Sequence, residues 1–292
     1  MSVVDIASVG PSPGRAGERG GRIDIRFARS PDGDTHLQRQ FASYPFHLCR
    51  TLRFPRDPPG MATLYLQSCS GGIFEHDRLS ASIVAVEGAQ AHVTTQASTI
   101  VHGMPAGEAR QETHLEAHAD ALLELLADPL ILFPSARLTS RLRIRVHDSA
   151  RVIVGDSFLQ HDPGGGHGVF EWLDSGVELE GPSGDVLARD RFRIEGEVLR
   201  AGIPGITGRY PAQGTLLVMD RARPTGVLVD ALRHSVASLA DVYAGASSLP
   251  GECGAWMRLL AVDGAALRRG MAAAWSSARE AMTGVRPAPR RK

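Results

Sequence analysis

The chain has 292 residues, 43% hydrophobic but only 5% aromatic, so its core is mainly aliphatic. Thirty-two basic residues balance thirty-two acidic ones, which gives no charge argument for nucleic acid or an anionic membrane surface. No apolar run approaches the roughly 18 residues of a membrane span, and three cysteines, Cys49, Cys69 and Cys253, point to a reducing compartment, with cytoplasm expected.

Residues 1–21, rich in Gly, Pro and Arg, read as a disordered tail without a hydrophobic signal core. From Arg22 the period is two: Ile23, Ile25 and Phe27 alternate with charged residues. Leu64–Gln67 then runs as a short apolar strand into Ser68-Cys69-Ser70-Gly71-Gly72-Ile73, with Asp77 opening another strand. The glycine pair allows positive φ or close approach of another segment. A polar element, Thr94-Thr95-Gln96-Ala97-Ser98-Thr99, follows.

His114 and His118 have the i, i+4 spacing of a helical metal pair, but Thr113, Leu115 and Ala117 alternate with them as on a strand, and the strand reading prevails. Leu142, Ile144 and Val146 alternate with arginines. Further strands are expected over 150–154, 176–180, 186–194 and 214–219, with turn residues between them. Gly164-Gly165-Gly166-His167-Gly168 lacks the Gly-Lys-Ser/Thr of a phosphate loop and reads as a turn. Near the C-terminus the period changes. Leu228, Leu232, Val236, Leu239 and Tyr243 predict a helix over 225–243 after a Thr225 cap. Leu267, Met271, Trp275 and Met282 predict a second over 264–283, capped by Asp263 and ended by Gly284 and Pro287. Residues 285–292 read as a disordered basic tail. The expectation is a mainly β scaffold over 22–284, many short strands in stacked, solenoid-like sheets, with a two-helix C-terminal element.

Cys69 invites a nucleophile reading, which needs a base and a positive environment. His47, His76 and His102 are candidate bases, but no signature ties them to it, and a free cysteine is more often a small hydrophobe. Cys49, Cys69 and these histidines match no familiar metal template. Asp77, Asp156 and Glu178 sit near strand boundaries, where carboxylates are usually turn formers or solvated charges.

Together these segments resemble the urease accessory protein UreD (UreH) family. Gly71-Gly72-Ile73 with Asp77 is similar to its Gly-Gly-x-x-x-Gly-Asp element, with His76 where a glycine is usual. Thr94–Thr99 resembles its threonine-rich segment, with Ile100 in place of a common lysine and His102 of a tyrosine. Leu123–Ala136 is similar to its Leu-Glu-Trp-x-Pro-x-Pro-x-Ile-x-Phe-x-x-Ala block without the Trp and first Pro. Asp156 matches the aspartate of the next strand, although the Gly-Arg expected after it is missing. Tyr243–Ser247, Arg258-Leu259-Leu260, Trp275 and Arg279 resemble the C-terminal signature.

The resemblance implies a non-enzymatic urease maturation factor. It implies binding to urease apoprotein and to a UreF-like partner, which recruits a UreG-like GTPase, with no nucleic acid or membrane involved. It implies no tightly bound cofactor but transient nickel(II), moving through a water-filled passage. Asp77, Thr99, Asp156 and Glu178 are the residues carried over to that passage. Gly71, Gly72, Thr94, Thr95, Gln96 and Ser98 are carried over as family-motif positions. Weak oxygen donors suit a conduit, which must bind an ion well enough to admit it and weakly enough to release it. The alternative is a hydrolytic enzyme using Cys69 or a carboxylate pair.

Overall fold

The computed structural model describes residues 19–288. In chain order the strands are β1 (Arg19–Arg29), β2 (Thr35–Ala42), β3 (Phe46–Leu48), β4 (Ala62–Ser68), β5 (Asp77–Ala85) and β6 (Gln90–Thr95). There follow β7 (Thr99–Val101), β8 (Ala109–Ala117), β9 (Leu122–Leu126), β10 (Leu130–Leu132), β11 (Arg137–Val146), β12 (Arg151–Gln160), β13 (Trp172–Glu180) and β14 (Val186–Ile194). The C-terminal part comprises α1 (Gly196–Ala201), β15 (Ala212–Asp220), α2 (Thr225–Val236), β16 (Val242–Ser248), β17 (Gly254–Ala261) and α3 (Gly264–Thr283).

Two sheets stack face to face. Sheet A runs β14-β13-β11-β8-β5-β1-β2, and sheet B runs β16-β17-β15-β12-β9-β6-β4-β3, with β7 and β10 beside β12. From β4 to β13 the main strands alternate between sheets: β4, β6, β9 and β12 pair in parallel in sheet B, and β5, β8, β11 and β13 in sheet A. This is the stacked, solenoid-like, β-rich architecture. Period-two patterning produces it because each strand turns alternate side chains to the inter-sheet layer. Ile23, Ile25 and Phe27 of β1 are fully buried there with Ile83, Leu115, Ile144 and Val152.

The outer face of sheet B is covered by α2 and α3, around Leu228, Leu232, Leu267 and Trp275. α3 starts as expected: Asp263 Oδ1 accepts from Ala266 N–H at 2.7 Å, and Gly284 ends the helix in the left-handed region. α2 differs from the expectation. It begins after Pro224, and the Thr225 hydroxyl donates to Glu252 O rather than capping the helix. It ends at Val236, and Tyr243 lies on β16. Turns at Leu239 and Val242, whose N–H groups donate to Val236 O and Leu239 O, break a spacing that looked helical.

Arg19–Gly21 belong to β1, and residues 1–18 and 289–292 of the two expected tails lie outside the described residues. Val285 N–H donates to Thr283 Oγ1, and Arg286 Nε to Ser276 Oγ. No helix of the described residues is long and apolar enough to cross a membrane.

Candidate functional site

A polar layer crosses the inter-sheet core. On β12, Val152 and Val154 belong to one apolar cluster and Phe158 to another; Asp156 falls between them on the same phase. On β13 the order is Val177, Ser175, Leu173, and on β11 it is Ile144, Leu142, Ser140, Leu138. Gln111 is in register with Ser140, and Ser140 with Ser175, so three polar residues form one row across sheet A. Gln111 donates to Ser140 Oγ at 2.9 Å. Thr215 of β15 is in register with Asp156 and nearly buried.

Asp156 is the carboxylate of that layer. Burial pushes its carboxyl up to about 6, partly offset by hydrogen bonds from Ser157 N–H and, across the layer, the Ser175 hydroxyl. Both offsetting interactions are neutral hydrogen bonds rather than cations. Asp156 is half-buried as a residue, and a carboxylate drawn away from water without a positive partner is costly as an anion and gains most from a passing cation.

Sheet B is interrupted beside this residue. β6 stops at Thr95 and β7 resumes at Thr99; β9 stops at Leu126 and β10 resumes at Leu130; β4 stops at Ser68, before Ile73 bridges Val101. The three gaps are neighbours because the strands are parallel and in register. Thr95 ties two of them, its Oγ1 accepting from Asp128 N–H at 2.8 Å. Gly71 and Gly72 take positive φ in the third, and a Cβ on Gly72 would run into Ile100 O. His76 also has φ of 67°, in the left-handed region that favours glycine.

The site residues expected from sequence separate accordingly. Thr99 is in register with Leu130, and Leu130 with Phe158, so Thr99 shares the inner face two positions beyond Asp156. Asp77 is buried at the start of β5 and accepts from Phe74 N–H at 2.8 Å, a turn-closing contact. Thr94 faces the helices instead, donating to Leu126 O at 2.7 Å. Gln96 is exposed and bonded to Gln67, and Ser98 is half-buried in the gap.

Glu178 does not join Asp156. Val177 and Leu179 take the inner phase of β13, which sends Glu178 to the outer face of sheet A. There Arg189 Nε donates to it at 2.7 Å, and Arg143 lies 3.8 Å away. The hydrogen bond from Arg189, opposed by slight burial, holds its carboxyl below the usual range. Asp174 and Glu180 share this outer ladder with Arg141, Arg191, Arg143 and Arg145. The shared interior passage expected for Asp156 and Glu178 is therefore corrected: the pleat places them on opposite faces.

Cys69 is exposed, Cys49 half-buried and Cys253 buried, where burial pushes the thiol up. His114 and His118 lie on or just after β8, as the alternation required. Among the described residues no three His, Cys, Asp or Glu side chains converge as a metal cage.

A second cluster holds α3 to sheet B. Glu124 of β9 is fully buried, and Arg279 Nε donates to its Oε1 at 2.7 Å. His92 Nδ1 lies 2.7 Å from Glu124 Oε2, and Trp275 Nε1 donates to the same oxygen at 3.0 Å. Arg279 also pairs with Asp57. Burial pushes Glu124 up, but Arg279 and His92 together override it and hold the carboxyl at about 2. Sequence reading marked Leu123-Glu124, Trp275 and Arg279 as motif residues without bringing them together. It missed Ser140, Ser175, Gln111 and Thr215, whose signal is a polar residue on the apolar phase of successive strands.

A sequence model described as UreD urease accessory protein matches residues 19–292. The chain is 41% identical over 268 residues to "Urease accessory protein UreD 1" of Pseudomonas syringae pv. syringae, covering 92% of this chain and 94% of that protein. It is 42% identical over 274 residues to "Urease accessory protein UreD 1" of Methylorubrum extorquens, with 93% and 91% covered. The archaeal "Urease accessory protein UreD" of Natronomonas pharaonis is 35% identical, with 97% and 95% covered.

Proposed function

The chain belongs to the UreD urease accessory protein family, and from that premise we propose that it is a non-enzymatic cytoplasmic scaffold that passes nickel(II) to urease. A role in urease maturation follows from the family. The finer reading is that the chain binds urease apoprotein and a UreF-like protein, through which a UreG-like GTPase supplies nickel.

The observation that carries the reading is Asp156 in the inter-sheet polar layer. Its neighbours Ser175, Thr215, Ser140 and Gln111 offer hydroxyl and amide oxygens, hard donors that hold Ni²⁺ less tightly than thiolate and imidazole together. Here nickel is cargo. A single carboxylate without a fixed counter-cation attracts the ion, and neutral oxygens on either side let it leave. Thr99 and the adjoining gaps at 96–98 and 127–129 lie at the sheet B side of this layer and are the proposed continuation of the route. Asp77 is retained only at its turn, where it supports the Gly71–Gly72 gap.

The hydrolytic alternative receives less support. Glu178, Asp174 and Glu180 are each neutralised by arginines on an open face, and Cys69 has no base bonded to it among the described contacts.

The test is urease apoprotein co-expressed with its other accessory proteins, with and without this chain. The reading expects nickel in the purified urease to fall several-fold without it. Equal nickel in both preparations would dismiss the reading.

A further inference from the structure

A groove of about 790 Å³ runs along α3, on the outer face of sheet B. One wall is a single stripe of the helix: Arg268, Met271, Ala272 and Trp275 have the i, i+3, i+4, i+7 spacing of one face. The gap segment Leu126-Ala127-Asp128-Pro129, where β9 breaks off before β10, also lines it. Arg286, Pro287 and Ala288, which follow α3, and Arg56, from the loop between β3 and β4, complete the rim.

The groove is apolar along its length and basic at its margins. Arg268 and Arg286 stand apart on the helix side. Arg286 Nε donates to Ser276 Oγ at 3.2 Å, and Ser276 lies two turns of α3, roughly 12 Å, beyond Arg268. Arg56 and Arg268 are exposed, and neither guanidinium has an ion pair or hydrogen bond among the described residues. Arg286 has only a distant carboxylate, Glu280 at 3.8 Å. Asp128 is the carboxylate among the described lining residues, and its Oδ2 accepts from Thr95 Oγ1 at 3.3 Å. Three guanidinium groups thus face one engaged carboxylate, in a chain whose formal net charge is zero.

We propose that this groove docks an acidic segment of a protein partner, one that also carries apolar side chains. The apolar side chains cover Leu126, Met271 and Ala272, and the carboxylates pair with Arg56 and Arg268. A free inorganic anion would satisfy the arginines but leave the apolar lining in water. The chain's own continuation, Pro-Arg-Arg-Lys at 289–292, brings three more cations to a groove already in excess of them. Ser157, which follows Asp156 on β12 and turns to the outer face, lines the same groove. The docked segment therefore meets the chain where the proposed nickel route reaches the outer face of sheet B.

This deepens the scaffold reading and rests on it for the existence of a partner. The experiment titrates urease apoprotein, and separately the UreF-like protein, onto the whole chain and two variants, at low and at high salt. Arg56→Glu with Arg268→Glu is expected to weaken binding of one of the two proteins about ten-fold or more, most strongly at low salt. Ala272→Trp fills the groove without changing its charge and is expected to weaken the same protein as much. Should the arginine variant fail to fold, Ala272→Trp, at an exposed helix position, carries the test together with the salt dependence of the unaltered chain. Full affinity of both variants for both proteins overturns the docking site alone. So does a loss with the arginine variant that Ala272→Trp does not share, because that is long-range charge rather than docking. So does amide protection around Asp128 that disappears from the free chain when residues 289–292 are deleted, because the chain's own continuation then fills the groove. Failure of the unaltered chain to bind either protein overturns the scaffold reading and this site together.

Discussion

Glu124 and Arg279, 155 positions apart in sequence, meet as a fully buried ion pair between sheet B and α3. The pair joins the middle strand of one stack to the last turns of the final helix, and Trp275, His92 and Asp57 complete it. Its members come from the sequence blocks around Leu123 and Trp275, so one physical contact explains two separated motifs. Burying two ions repays their desolvation only when the hydrogen bonding is full, as it is here.

Arg279→Met should therefore destabilise the chain by about 3–5 kcal/mol, since it strands Glu124 as an unpaired buried charge. Adding Glu124→Leu should recover part of that loss. Urea unfolding of the two variants checks the order, and a double variant less stable than Arg279→Met alone would contradict it.

Glu124 also sets a pH limit. Its folded pKa, about 2, lies below the ordinary 4.5, so its contribution is present above pH 4.5 and is lost as pH falls toward 2. In the Arg279→Met variant the low pKa is not maintained. Acid unfolding followed by circular dichroism should move to higher pH in that variant, and an unchanged midpoint would count against the coupling.

Asp156 has the opposite sign. Its folded pKa of about 6 lies above the ordinary 3.8, so the folded state holds a proton that the unfolded chain has released. Stability falls as pH rises from about 4 to 6 and stays lower above that. Asp156→Asn should then be the more stable protein at pH 8, by up to about 3 kcal/mol. The advantage should vanish near pH 4. Thermal unfolding of both proteins across that range is the measurement.

Cys69 is exposed in the gap between β4 and Ile73. Cys69→Ser should alter stability by no more than about 0.5 kcal/mol and leave urease activation intact at matched protein levels. Loss of activation with normal assembly would restore a chemical role for the thiol.

Much of this was legible in the sequence. Period-two segments gave β1, β8, β11 and β14, and Asp263 with Gly284 gave both ends of α3. The helix expected over 225–243 runs past its true end at Val236 because Val236, Leu239 and Tyr243 keep a helical spacing by chance across a turn. The carboxylates carry a sharper lesson. Val177-Glu178-Leu179 already states that Glu178 opposes its apolar neighbours, whereas Asp156 shares its phase with Val152, Val154 and Phe158. Only the facing of two sheets made Ser175 a partner of Asp156, because residues of different strands meet through register rather than spacing.

The proposed nickel route runs through the inter-sheet layer at Asp156. Its most direct test compares Asp156→Ala and Glu178→Ala, each assembled with the UreF-like, UreG-like and urease partners. Pull-down and nickel content are read on the same samples. Expected are intact complexes in both cases, nickel in the urease reduced several-fold by Asp156→Ala, and nickel unchanged by Glu178→Ala. Full nickel loading with Asp156→Ala would contradict it.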